Sequence, residues 1–196
     1  MSMWSKCSKA CVSMTTYVEA GCGFGGSCFP KDVKALIEYG ERKQSSMQLL
    51  RSVININADQ PNRLIELIEK HHPDVAGKRV AVLGIAFKPG TDDVRESPSL
   101  TLVRELRAKV SAFDPIAMET GREELGSDGI IYAESIEQCI EGADVVVVAT
   151  RWPEFLVLPK LLAASGAKPL VVDGRRMFQP DQLPAYEGIG LSLTGA

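Results

Sequence analysis

Histidine is nearly absent from this chain of 196 residues: there are two, the adjacent His71 and His72. The cysteine spacings, Cys7-x3-Cys11 and Cys22-x5-Cys28, are not those of the usual zinc sites, so no metal is expected. No apolar run approaches the ~18 residues of a membrane span, and the opening MSMWSKCSKACVSM lacks the continuous apolar core of a signal peptide. Basic charge is not in excess either. Lys and Arg number 22 against 25 Asp and Glu, a net charge of −3, so the basic face of a general nucleic-acid binder is not expected. There is no internal repeat and no low-complexity linker. The five cysteines are an odd number, which fits a reducing cytoplasm better than a disulfide framework. What remains is ordinary for a globular protein: 45% hydrophobic and 24% charged residues, enough for one large domain or a domain with an appendage.

Glycine is present in number and concentrated. Residues 21–32 read GCGFGGSCFPKD, with Gly21, Gly23, Gly25 and Gly26 crowded around Cys28. Glycine allows positive φ and close backbone approach, so such a loop can wrap a polar ligand. Pro30 suits the first turn of a helix, which places the Cys28 thiol just before a helix N-terminus, with Asp32 in that turn and Lys31 adding positive charge. Both features favour a reactive thiolate. A plain turn with a small buried cysteine fits the same residues.

Along the chain, residues 1–20 show neither helical nor strand periodicity. Helices are expected over Pro30–Lys43 and over Ser45–His71, the second kinked or split by Pro61. Asn55 and Asn57 interrupt its apolar pattern, at a ligand or at solvent. From Gly77 the pattern alternates. Strands are expected at Arg79–Leu83, Lys109–Phe113, Asp144–Ala149 and Pro169–Asp173, and helices at Pro98–Arg107, Ser135–Glu141 and Pro159–Ala164. The run DVVVVA suits the middle of a sheet covered on both faces. The expected fold is therefore α/β: a helical N-terminal segment, residues 1–76, followed by a Rossmann-like parallel sheet with helices on both faces, residues 77–196.

In such sheets ligands bind beyond the carboxyl ends of the strands. Three polar clusters fall there: Phe87, Lys88, Thr91, Asp92, Asp93 and Arg95; then Thr150, Arg151 and Trp152; then Gly174, Arg175 and Arg176. Basic side chains converging on one rim suit a diphosphate. The turn Gly84-Ile85-Ala86-Phe87-Lys88-Pro89-Gly90 is not a G-x-G-x-x-G fingerprint, and only Asp114 could mimic the ribose-binding acid, so this sheet is not expected to bind a dinucleotide alone.

The stretch GFGGSCFPKD resembles the catalytic-cysteine signature of the UDP-glucose/GDP-mannose dehydrogenase family, and GIAFKPGTDDVRESPS (84–99) resembles that family's second signature, in the matching order. The resemblance runs from about Tyr17 to Arg176. It implies the latter part of an NAD-dependent enzyme, with the central helical region and the UDP-binding domain, and without the N-terminal NAD domain or the catalytic lysine and asparagine. Val12 stands where the family usually carries an arginine. The implied reaction is double oxidation of a sugar C6 alcohol to a carboxylate with two NAD⁺, through a thiohemiacetal and thioester on Cys28. Asp32 matches the acid that orders or activates water. Glu19, Ala20, Gly21, Cys22, Gly23, Phe24 and Gly25 match the loop around the sugar nucleotide. Phe87, Lys88 and Arg175, with Arg176 as the alternative to Arg175, match further substrate contacts. Cys28, Lys31 and Arg95 match positions that reach NAD. The short glycine loop favours UDP-glucose over GDP-mannose. The partners implied are a UDP-sugar and a second copy joined through the 45–71 helix, with no nucleic acid and no membrane. A non-catalytic UDP-sugar-binding or dimerisation fragment is the alternative, or a dehydrogenase of GDP-mannose or a UDP-N-acetylhexosamine.

Overall fold

The protein is described by a computed structural model over residues 21–106 and 108–191. Helix α1 (Phe29–Arg42) starts where the sequence places it, with Pro30 and Asp32 in the first turn and Arg42 in the last. Gly40 is buried, and a side chain there would collide with Met47, so the glycine lets the chain fold back closely on α1. Gln44 and Met47 both take positive φ, which delays the next helix, α2 (Gln48–Glu69), beyond the expected Ser45.

Pro61 neither splits nor ends α2, contrary to expectation. Its missing N–H removes the helical bond to the Asn57 carbonyl, an interior cost of about 3 kcal/mol. Burial of Leu64 and Ile68 offsets that cost. Both are essentially inaccessible and packed against Val80, Val82, Val145, Val147 and Val172 of the sheet. The expected domain boundary near residue 76 falls between α2 and the first strand, while these two side chains before it belong to the core of the sheet.

The sheet has six parallel strands: β1 (Arg79–Leu83), β2 (Lys109–Phe113), β3 (Ile130–Tyr132), β4 (Val145–Val148), β5 (Leu170–Asp173) and β6 (Tyr186–Gly188). Their spatial order is β3-β2-β1-β4-β5-β6, the doubly wound arrangement whose order reverses between β1 and β4. Val80 stands opposite Val110 on one side and Val145 on the other, so β1 and β4 are central. Both faces are covered. Val145 and Val147 pack toward α2 and α3 (Pro98–Glu105) with Leu102, Val103 and Leu106. Val146 and Val148 pack toward Ile136, Cys139, Phe155, Leu158 and Leu162, from helices α5 (Ile136–Ile140) and α6 (Leu158–Ser165) and the 3-10 turn Pro153–Val157.

Strands β3 and β6 and helix α4 (Met118–Leu125) were not expected. Each strand has three residues, too few for alternation to register. Helix α4 is METGREEL, strongly polar, with its one buried residue Gly121 pressed against Ile85. Beyond β5, the carboxylate of Glu187 on β6 is almost fully buried and accepts from Lys70 Nζ and His71 Nε2, each at 2.7 Å, which fastens the end of α2 to the sheet edge. Among the described residues no helix is long and apolar enough to cross a membrane.

Candidate functional site

The glycine loop lies across the carboxyl edge of the sheet, where β4 and β5 end. Cys22 is buried there: its N–H donates to Gly174 O at 2.9 Å and its thiol to Ala149 O at 3.5 Å. Burial pushes the Cys22 thiol up in pKa, against the opposing effect of Arg175. This cysteine is an anchor. Arg175, from the loop after β5, donates through Nε to Ala149 O at 2.6 Å and through Nη1 to Gly23 O at 3.0 Å. Its buried Nη2 has no partner among the described residues. A Cβ at Gly21 would sit 2.9 Å from Arg175 Nη1, so glycine is what lets the guanidinium reach the loop backbone.

The second half of the loop is gripped by the segment after β1. A Cβ at Gly25 would run into the Glu96 carbonyl oxygen, and one at Gly26 would lie 2.8 Å from the Phe87 ring. Gly26 has φ +89° and donates its N–H to Arg95 O at 2.9 Å. These are the close approaches for which glycine is required. The loop then ends at Cys28, exposed, the N-cap residue of α1, with its thiol 3.7 Å from Ser27 Oγ. Asp32 lies one turn on, exposed, its N–H donating to Cys28 O at 2.9 Å.

Two clefts meet at this loop. The first, about 1060 Å³, includes Gly21, Gly23, Phe24, Gly25, Cys28, Phe87, Lys88 and Arg175 in its lining, with Thr150 and Arg151 from the end of β4. Helix α2 supplies its outer wall through Val53, Ile56, Asn57 and Gln60. Its volume is just above the range of about 300–1,000 Å³ usual for small-molecule sites. Lys88 is exposed, with Nζ 5.4 Å from the Phe87 ring centroid. The second cleft, about 840 Å³, is lined by Lys31, Lys34, Arg95 and Arg104, balanced by Glu38, Glu96 and Glu124. Gly26 and Ser27 line both, so the segment leading to the thiol is the partition between them.

Most of the residues expected in the site are thus brought together, with five qualifications. Cys22, buried as an anchor, lines neither cleft. Glu19 and Ala20 lie outside the described residues. Asp32 lines neither cleft. Arg176 turns away, donating to Ile189 O at 3.2 Å. Arg95 faces the second cleft and is held by Asp93 through two bonds, at 2.9 and 2.8 Å. The guanidinium holds the Asp93 carboxyl below its usual range. Of the two asparagines expected at a ligand or at solvent, Asn57 lines the cleft and Asn55 is exposed, while Val53, Ile56 and Gln60 were not singled out for the site; Val53, Asn57, Gln60, Leu64 and Ile68 fall on one helical face. Polar Asn57 and Gln60 within an otherwise buried stripe were the available signal.

The dinucleotide position of the sheet itself is filled by protein. Asp114, at the end of β2, is buried and accepts from the N–H groups of Ile85, Ala86, Ile116 and Ala117 and from Trp152 Nε1, at 2.7 to 3.1 Å. Gly84 lies against Thr150, whose hydroxyl donates to Ala86 O at 2.6 Å. An acid with five protein donors has no free lone pair for a ribose.

Residues 81–180 match the UDP-glucose/GDP-mannose dehydrogenase family, UDP binding domain, and residues 6–59 match the central domain of the same family. The chain belongs to the UDP-glucose/GDP-mannose dehydrogenase family. The central-domain match begins ahead of Tyr17, so the likeness extends further toward the N-terminus than the signatures alone indicate. The chain is 39% identical over 178 residues to the UDP-glucose 6-dehydrogenase AglM of Haloferax volcanii, covering 89% of this chain and 40% of that protein. It is 39% identical over 194 residues to the UDP-glucose 6-dehydrogenase of Pseudomonas aeruginosa, covering 92% and 43%. Among solved structures, a UDP-glucose dehydrogenase from Pyrobaculum islandicum superposes with a TM-score of 0.79 at 35% identity, over 94% of this chain and 42% of that one. A GDP-mannose dehydrogenase from Pseudomonas aeruginosa gives 0.71 at 27% identity, over 88% and 41%. The chain therefore spans about two fifths of the length of these relatives.

Proposed function

We propose that this chain is the cysteine-loop, central-helix and nucleotide-binding part of a UDP-glucose 6-dehydrogenase. The observation that carries the reading is the placement of Cys28: an exposed thiol at a helix N-terminus, lining the first cleft and directly following the Gly26–Ser27 segment that the two clefts share. In the first cleft, Arg175 Nη2 is a buried donor in want of an acceptor, which a diphosphate oxygen supplies, and Lys88 adds a second cation. Phe87 and Phe24 give the apolar surface against which the rest of the substrate packs.

The family resemblance implies NAD. In the second cleft Lys34 and Arg104 are paired with Glu96 and Glu124, which leaves Lys31 and the Asp93-held Arg95, beside the thiol segment, as the cations that fit the cofactor's outer part, while the filled edge of the sheet does not fit a dinucleotide. Lys31 and Arg95 are accordingly the residues here that would hold the cofactor, whose other contacts lie in the part of such an enzyme not covered by this chain. When bound, NAD takes the hydride lost in each of the two oxidations. The role of Cys28 is covalent: its sulfur adds to the C6 aldehyde to give a thiohemiacetal, which becomes a thioester on the second oxidation. Water cleaves the C–S bond, releasing the carboxylate and the thiol. The resemblance gives Asp32, one turn from Cys28 and outside the lining of both clefts, the task of ordering that water or taking its proton. The free Cys22, Cys28 and Cys139 fit a reducing cytoplasm.

Calorimetry against UDP-glucose and GDP-mannose, paired with mass-spectrometric mapping of alkylated cysteines, tests the reading. UDP-glucose is expected to bind more tightly and to slow labelling of Cys28. Preference for GDP-mannose would reassign the substrate, and Cys28 labelling indifferent to either sugar nucleotide would remove the thiol from the site.

A further inference from the structure

Asn57 stands midway along α2, directly against the glycine loop. Its side-chain amide makes two bonds of opposite sense to the backbone of one residue: the N–H of Phe24 donates to Oδ1 at 2.7 Å, and Nδ2 donates to Phe24 O at 2.9 Å. A carboxamide offers an acceptor and a donor in one plane for such a pairing, which an ionised carboxylate does not. The preceding carbonyl, Gly23 O, is taken from the other side by Arg175, so successive peptides of the loop are held between helix and sheet. The fit is close. Gly23 has φ +110°, and a Cβ there would lie 3.2 Å from Asn57 Oδ1 and 3.3 Å from the Asn57 carbonyl oxygen, the one that Pro61 leaves without its helical donor. The Phe24 ring in turn meets Phe29 edge-on at 4.7 Å, and Phe29 follows Cys28 directly.

We propose that Asn57 is the positioning residue of the glycine loop: by pairing with both backbone groups of Phe24 it fixes the start of the loop against its end, and so sets the wall of the sugar-nucleotide cleft and the place of Cys28. This rests on the reading of that cleft given above. Asn55, two residues earlier and exposed on the same helix, is an internal control.

The test uses the whole chain. In the unmodified protein, NMR exchange of side-chain amide protons is expected to be at least tenfold slower for Asn57 than for Asn55. Asn57→Asp has the same shape but can only accept, and it sets a negative charge against the Phe24 carbonyl. It is expected to raise backbone amide exchange across residues 21–28 and to weaken UDP-glucose binding tenfold or more, while its thermal unfolding stays cooperative and within a few degrees of the parent. Equal exchange for Asn57 and Asn55 overturns the proposal even if the variant does not fold. So does loop exchange, or affinity, unchanged by Asn57→Asp. If the parent itself binds no UDP-glucose, the nucleotide-sugar reading fails, and the two exchange comparisons alone decide the role of Asn57.

Discussion

At the scale of single residues the site depends on what is missing from its side chains as much as on what is there. Gly25 faces the Glu96 carbonyl with no space for a methyl group. Gly25→Ala is therefore expected to push the loop off the segment after β1, and UDP-glucose binding should be lost in titration while the strands remain folded by circular dichroism. Binding at the parent's affinity would show that the loop can move aside at no cost. Lys88 is the opposite case, an exposed cation over the Phe87 ring. If it meets the diphosphate, Lys88→Ala should weaken binding by about 1–3 kcal/mol, the range for losing a charge-assisted hydrogen bond, and an unchanged dissociation constant would place the phosphates elsewhere. The cysteines divide by burial. Cys139 is enclosed and its thiol is pushed up to about 12, whereas Cys28 is exposed.

Among the elements, α2 does the most. One face packs on the sheet through Leu64 and Ile68, one section walls the cleft, and its end is tied to β6 by Glu187. Burial disfavours the Glu187 carboxylate, but hydrogen bonds from His71 and Lys70, with their charges, outweigh this and hold it below the usual glutamate range. A depressed folded-state pKa means stability that is present above the unfolded value of about 4.3 and is lost as pH falls through the folded one. Urea unfolding of the parent between pH 7 and pH 3 should show that loss, and Glu187→Gln should be less stable at pH 7 with a flatter acid limb. Equal slopes would mean that the tie contributes nothing. The surface of the helical segment leaves Leu49, Leu36 and Tyr39 exposed outside the first cleft. If two copies pair through it, Leu49→Glu should convert a dimer to a monomer in sedimentation equilibrium, and a parent already monomeric at micromolar concentration would rule that pairing out.

For the whole molecule the question is how much of a reaction two fifths of a relative's length can support. Hydride transfer needs the acceptor held at the reacting carbon, and proper orientation contributes several kcal/mol to lowering the barrier. Asp114 is saturated by protein donors and Gly84 is packed on Thr150, so the turn after β1 presents neither a free acid nor an open glycine to a dinucleotide. The pure chain is therefore expected to bind UDP-glucose without reducing NAD⁺, followed as absorbance of NADH. Steady turnover would mean that a dinucleotide does enter the sheet edge.

The linear sequence by itself determined the glycine loop and four of the six strands of this protein. GFGGSCFPKD carries its own geometry, because glycine spacing and Pro30 dictate a tight loop running into a helix. RVAVL, KVSAF, DVVVVA and PLVVD announce strands by apolar content alone. Local rules reach that far because each depends on neighbours in the chain. Tertiary packing decided the rest. Three-residue β3 and β6 exist because β2 and β5 present open edges to them, and polar α4 holds because Gly121 fits against Ile85. Pro61 stays within a helix because Leu64 and Ile68 are buried beyond it. Arg175 and Arg176 are adjacent in sequence and alike in chemistry, yet one turns to the glycine loop and the other to Ile189. Asn57 and Phe24, 33 residues apart, pair only because α2 crosses the sheet edge where the loop lies. Which polar groups meet is a property of how the layers stack, and no local pattern encodes it.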